Sequence, residues 1–235
     1  MHIIPVIDLQ GGVVVRAHKG ERANYRPIET PLAPTSDPVD VVRGLLALFP
    51  FTTLYVADLD AIAGERDHRA VLAKLRLTFP ALALWVDNGI ADAEAACAWL
   101  DEGFGDLVIG SESQRDTAVV ERLRDQPRAI LSLDYRGGEF FQGPPELLLK
   151  PELWPRRVIA MTLARVGSGA GPDLGRLIAL RAVAPEHALY AAGGVRDLAD
   201  LLELKAAGIQ GALVASALHD GRLRATHFAA LHTSA

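Results

Sequence analysis

Cysteine is almost absent from this chain: Cys97 is the one thiol among 235 residues, so no disulfide can form within it. Its neighbours Ala95, Ala96 and Ala98 make it an expected inert core residue rather than a reactive thiol or metal ligand. Excess positive charge is missing too. With 24 Lys and Arg against 29 Asp and Glu, the net charge of −5 argues against a nucleic acid as partner and leaves room only for a local basic pocket. No uncharged apolar run is long enough to span a bilayer, which argues against a membrane partner, and Asp8 interrupts the apolar opening that a secretory leader would need. A cytoplasmic protein is expected. The 7 histidines are scattered without ligand spacing, and no Ser-His-Asp or Cys-His arrangement stands out. Asp58 and Asp60 are the carboxylates best placed to join Asp8 around a cation, but a further ligand is missing. Neither a metal nor a cofactor is therefore expected.

What the chain does have is one figure written twice. Ile3-Ile4-Pro5-Val6-Ile7 is a short apolar run that ends on Asp8, and Gly11-Gly12 follows. Half a chain later, Ile130-Leu131-Ser132-Leu133 ends on Asp134, with Gly137-Gly138 after it. Apolar runs of this length bounded by turn signals read as strands buried on both faces, the kind used by parallel sheets. A carboxylate at the last position stands where such a strand leaves the core.

Further strands are expected at 53–60, 83–90, 105–111, 157–162, 188–192 and 211–215, with helices between them. Ser36-Asp37-Pro38 is a helix-start signal for 38–48. The polar stretch 17–37 is longer than most loops and reads as a lid or binding loop, and the Pro-rich stretch 143–155 as an irregular excursion. A second repeat supports the first: Gly89-Ile90 precedes Gly110-Ser111 by the same interval that separates Gly194-Val195 from Ala215-Ser216. Eight strands alternating with helices, in two similar halves, predict an α/β fold: a single (β/α)₈ barrel over 1–235 with half-barrels at about 1–125 and 126–235. A doubly wound open sheet does not predict the half repeat.

Reacting groups in such barrels sit at the carboxyl ends of the strands. Asp8 and Asp134, on the first and fifth strands, face each other across the mouth and can divide proton removal from proton donation if their environments separate their pKa values. Gly193-Gly194 and Ala215-Ser216 form a candidate phosphate cradle, because glycine lets an anion approach backbone N–H groups closely. Asn88-Gly89 with Gly110-Ser111 would mirror it, except that Asp87 places a repelling carboxylate there unless it points away. Arg165 and Gly167 belong to a glycine-rich loop that suits a lid or a phosphate contact. Arg16 and Lys19 are the cations nearest Asp8 in sequence and are candidates to hold an anionic, phosphorylated substrate. No oligomeric state follows from the sequence.

From Ile4 through Asp8 to Arg16, the chain resembles the histidine-biosynthesis barrel family: phosphoribosylformimino-aminoimidazole-carboxamide ribotide isomerase and the related imidazole glycerol phosphate synthase subunit. The likeness runs nearly end to end, through Tyr55-Val56-Ala57-Asp58-Leu59-Asp60-Ala61, Val108-Ile109-Gly110-Ser111, Leu133-Asp134, Thr162 with Arg165 and Gly167, and Ala192-Gly193-Gly194-Val195. The opening is more similar to the isomerase. The resemblance implies a two-half barrel with a phosphate site in each half. It also implies a metal-free, cofactor-free Amadori rearrangement of an aminoaldose to an aminoketose. Asp8 would be the base that removes the C2 proton, Asp134 the acid that protonates the ring oxygen, and Thr162 a support for the intermediate. Three turns depart from the family pattern: Asp87-Asn88-Gly89-Ile90, Arg165-Val166-Gly167-Ser168 and Ala215-Ser216. The stretches 20–28 and 36–38 also resemble a divergent branch found in organisms with methanopterin-type one-carbon chemistry. Three readings follow: the family's isomerase, a paralogue acting on another phosphorylated substrate, and a noncatalytic ligand-binding barrel.

Overall fold

The computed structural model describes residues 1–136 and 141–233. Gly137-Gly138, the second copy of the paired glycines, lies outside the described residues. Eight parallel strands follow in chain order: β1 (His2–Gln10), β2 (Thr53–Asp58), β3 (Ala83–Asp87), β4 (Asp106–Gly110), β5 (Ala129–Tyr135), β6 (Arg157–Thr162), β7 (Ala188–Ala192) and β8 (Gly211–Val214). Each pairs with its neighbours in sequence, and β8 returns to β1 through Ile3↔Ala212 and Ile4↔Leu213, which closes a (β/α)₈ barrel.

Alternation along each strand creates two cores. Ile4, Tyr55, Trp85, Val108, Ile130, Ile159, Tyr190 and Leu213 fill the barrel interior, while the intervening residues pack outward under the helices. Because both faces are buried, the strands are continuously apolar. Toward the amino end of the barrel, Trp85 and Tyr190 meet edge to face at 5.0 Å and His2 packs on both.

Helices begin where short acidic side chains satisfy the first free N–H groups. Asp37 accepts from Val39 N–H before the helix Pro38–Leu48, and Asp92 from Ala95 N–H before Ala93–Glu102. Asp173 and Asp197 do the same for Leu174–Val183 and Leu198–Ala206. Within 143–155, the irregular excursion contains a short helix, Pro145–Leu149, held by Trp154 Nε1–H donating to Leu147 O at 2.6 Å. Cys97 is half-buried on the outer core rather than enclosed.

Similar short arms follow Asp8 and Asp134. Val13–Val15 folds back antiparallel on β1, pairing Val15 with Asp8, and Phe141–Gln142 folds back on β5, pairing Gln142 with Asp134. The loop 17–37 does not stand away from the barrel. Its backbone bridges Val15 to Pro27, Lys19 N–H donates to Val166 O, and Tyr25 is buried over the barrel interior. Among the described residues no helix is long and apolar enough to cross a membrane.

Candidate active site

A cavity of about 990 Å³, counting its open mouth, lies at the carboxyl ends of the strands. Strand alternation decides which side chains enter it. On β1 the inward residues are Ile4, Val6 and Asp8; on β3, Trp85 and Asp87; on β5, Ile130, Ser132 and Asp134. Asp8 and Asp134 therefore enter from strands on opposite sides of the closed barrel.

The two carboxyl groups have different surroundings. Asp134 is 4% exposed and accepts from Ser132 Oγ at 2.7 Å and Glu112 N–H at 3.1 Å; Ser111 Oγ lies 3.0 Å away, its one proton divided between Asp134 and Gln142 O at 2.6 Å. Ser111 Oγ also accepts the Asp134 N–H at 2.9 Å, so β4 and β5 lock this side chain from both ends. Among the described residues no donor reaches the Asp8 carboxyl group, which stands bare at the cavity wall. Burial pushes Asp8 up to about 7, with the Arg22 guanidinium pulling the other way. Burial also lifts Asp134, but its hydrogen bonds oppose the rise and hold it at about 6. The pair thus titrates near neutrality, as acid–base chemistry requires.

A third carboxyl group joins them. Asp87 is buried and points into the barrel, accepting from Tyr55 Oη at 3.3 Å and from Gly89 N–H at 3.2 Å. Burial, then the charge of Asp134, pushes it up to about 7. The Tyr55 hydroxyl is raised well above its ordinary range, chiefly by burial and next by the charges of Asp87, Asp134 and Asp8. Three acids therefore share one small volume. Above them, the ion pair of Arg22 with Glu112 spans the mouth, and Arg136 approaches Glu112 at 3.5 Å.

The opposite wall is glycine. Gly193 and Gly194 turn with φ of +97° and +91° after β7, a conformation that side chains resist. A Cβ on Gly194 would also lie 2.1 Å from Gly171 O, so the loop after β6 packs directly on this turn. Ala215, Ser216 and Arg222 complete that wall. Backbone amides, small side chains and a guanidinium suit an anion.

A family model described as histidine biosynthesis protein matches residues 2–224. The chain belongs to the histidine-biosynthesis protein family. A relative from Halorhodospira halophila is 31% identical over 95% of this chain and 94% of its own length. Another, from Thermus thermophilus, is 30% identical over 95% of this chain and 97% of its own. Both are named as imidazole-4-carboxamide isomerases, and their full names carry two phosphoribosyl groups. An uncharacterized protein of Methanocaldococcus jannaschii is 26% identical over 95% of both chains.

Of the residues expected at the site of this family member, Asp8, Asp134, Gly167, Gly193, Gly194, Ala215 and Ser216 line the cavity. Gly110 and Ser111 lie against Asp134. Gly89 faces a separate open depression shared with Arg22, Glu112 and Arg115, and half-buried Asn88 leaves its Oδ1 without a partner. Four expectations need correction. Thr162 is buried outside the cavity lining, because β6 turns Ile159 and Met161 inward and the next residue outward. Arg16 is outside the main cavity lining: it pairs with Asp220 at 3.0 Å and faces a small adjoining pocket with Asp8, Ala215 and Ser216. Lys19 contributes its backbone to the docked loop and does not line the cavity. Arg165 donates to Gly171 O and Pro172 O at 3.0 and 3.1 Å, bracing its own loop.

Asp58 and Asp60 likewise turn from the cavity to hold the turn after β1. Asp60 accepts Gly11 N–H at 3.0 Å, and Asp58 meets His68 Nδ1 at 2.7 Å. His68 Nε2 accepts Gly12 N–H at 2.9 Å, which places the ring proton on the nitrogen facing Asp58. Sequence reasoning missed Tyr55, Arg22, Glu112, Arg136 and Arg222. Tyr55 shares the inward alternation of its strand and was legible. The arginines and Glu112 sit in loops whose meeting depends on barrel closure.

Proposed function

We propose that this chain is an aldose–ketose isomerase acting on a phosphorylated aminosugar, with Asp8 and Asp134 as its acid–base pair. One observation carries the reading: two carboxyl groups on opposite strands enter a single cavity with pKa values pushed to about 7 and about 6. An Amadori rearrangement opens the sugar ring by protonating its oxygen and then moves a proton from C2. Family resemblance gives Asp134 the first step and Asp8 the second.

The hydrogen bonds refine this. Donors around Asp134 favour its ionised form, whereas Asp8 has none, so between about pH 6 and 7 Asp8 is the group that keeps its proton. The reactive arrangement is the reverse, and substrate has to shift the proton across before turnover. The relation of kcat/KM to pH is expected to be bell-shaped, with limbs near 6 and 7. The substrate phosphate is assigned to the Gly193-Gly194 wall. A paralogue acting outside histidine synthesis, including in methanopterin-linked chemistry, is the second reading. The Asp87 carboxylate in the half opposite the glycine wall favours it.

Turnover would be followed chromatographically with the bis-phosphoribosyl substrate named for the relatives and with singly phosphorylated aminoaldoses. Asp8→Asn and Asp134→Asn are each expected to lower turnover by roughly 10²–10⁴-fold. Full activity in both variants would refute the acid–base assignment, and no turnover of either substrate by folded wild-type protein would refute the isomerase reading, leaving the second reading or a ligand-binding barrel.

A further inference from the structure

Both halves of the barrel follow a strand with a turn whose second residue is a glycine at positive φ, although at the first position Gly193 is left-handed and Asn88 is not. After β7 the turn is Gly193-Gly194; after β3 it is Asn88-Gly89, with Gly89 at φ +70°. Counted along the repeat, Asp87 corresponds to Ala192, and Glu112 corresponds to Ala217. The methyl group of Ala192 leaves its half of the cavity open. Asp87 fills the equivalent volume in the other half. Its Oδ1 takes the Gly89 N–H, the amide equivalent to that of Gly194, and a Cβ placed on Gly110 would lie 3.1 Å from its Oδ2. A carboxylate oxygen thus stands where an anion would have to sit, beside the neighbouring acid Asp134.

Tyr55, on β2, and Gly89, in the turn after β3, are the two donors that hold Asp87 there. Glu112 adds a second carboxylate on this rim, matched by Arg22 and Arg136. The half carrying Gly193 and Gly194 has Ala192 in the corresponding position, and Arg222, which pairs with Asp220 at 3.1 Å, lines it.

We propose that Asp87 is a specificity-determining residue that confines phosphate recognition to the Gly193-Gly194 half, so that the substrate carries one phosphate and presents an uncharged or cationic group to Asp87. This rests on the isomerase reading and narrows its substrate class. It separates the chain from relatives whose named substrate carries two phosphoribosyl groups.

Equilibrium dialysis of the whole chain against radiolabelled inorganic phosphate tests the assignment. Wild-type protein is expected to bind one phosphate, and Ala192→Asp, which copies Asp87 into the other half, to bind none. Asp87→Ala, which copies Ala192, is expected to bind two, and so is Asp87→Ser, which also frees the Gly89 amide and keeps a polar side chain should the alanine variant fail to fold. Two phosphates on the wild-type chain would overturn the inference while leaving the isomerase reading intact. A single phosphate on both Asp87 variants, or on Ala192→Asp, would also overturn it. No phosphate on wild-type protein would remove both the inference and the phosphorylated-substrate reading.

Discussion

Replacing Asp87 by Asn should make this protein more stable, and increasingly so as pH rises. In the folded chain Asp87 keeps its proton up to about pH 7, against an ordinary value of 3.8. Between those values the folded state binds more protons than the unfolded one, so stability falls as pH rises. The contribution is full below the unfolded pKa and is lost as pH passes through the folded one. The whole displacement corresponds to roughly 4 kcal/mol. Asn keeps the Oδ1 that accepts Gly89 N–H but cannot ionise. The variant should therefore be about 1–2 kcal/mol more stable than wild type near pH 5 and about 4 kcal/mol more stable near pH 8. Asp8 and Asp134 remain and have the same sign, so the variant's profile flattens without becoming level. Urea denaturation followed by circular dichroism across this range measures the difference. A gap between the two proteins that does not change with pH would refute the reasoning, because it would mean that Asp87 does not titrate differently on folding.

Three further outcomes are expected. Ser111→Ala removes a hydroxyl that stabilises ionised Asp134, so the limb of the pH–rate profile that belongs to Asp134 should move to higher pH; an unmoved limb would count against that hydrogen bond. His68→Ala leaves Gly12 N–H and buried Asp58 without their partner and should cost about 1–3 kcal/mol in denaturant unfolding, against near zero if the contact were incidental. Gly194→Ala forces a side chain into φ +91° against Gly171 O, which should lower the melting temperature and weaken phosphate binding together; unchanged binding would argue that the turn does not contact the anion.

Much of the architecture was legible in the residues because its causes are local. A strand buried on both faces must be apolar throughout, a helix start needs an oxygen for its free N–H groups, and both signals recur on schedule. Pro38–Leu48 begins and ends as its flanking residues require, and β6 spans the residues that its apolar run marked. Asp8 and Asp134 were legible for the same reason: a charge ending an apolar run has to emerge from the core. Thr162 rested on the resemblance alone, and the alternation of its strand turns Met161 inward instead.

The sequence by itself determined the alternating strands and helices, the repeated half, and the two acids at matched strand ends. Only closure of the barrel decided which groups meet. Arg22 reaches Glu112, and Asp87 comes to lie beside Asp134, through contacts between segments distant in the chain. Arg16, nearest to Asp8 in sequence among the candidate cations, turns instead to Asp220 near the other end of the chain. Hydrophobic patterning is set residue by residue, but a charge has no preferred place until the fold supplies its partner and excludes water from it. The raised pKa values belong to that second kind of fact. They arise from burial in a volume enclosed by all eight strands, which no single segment of the chain encodes.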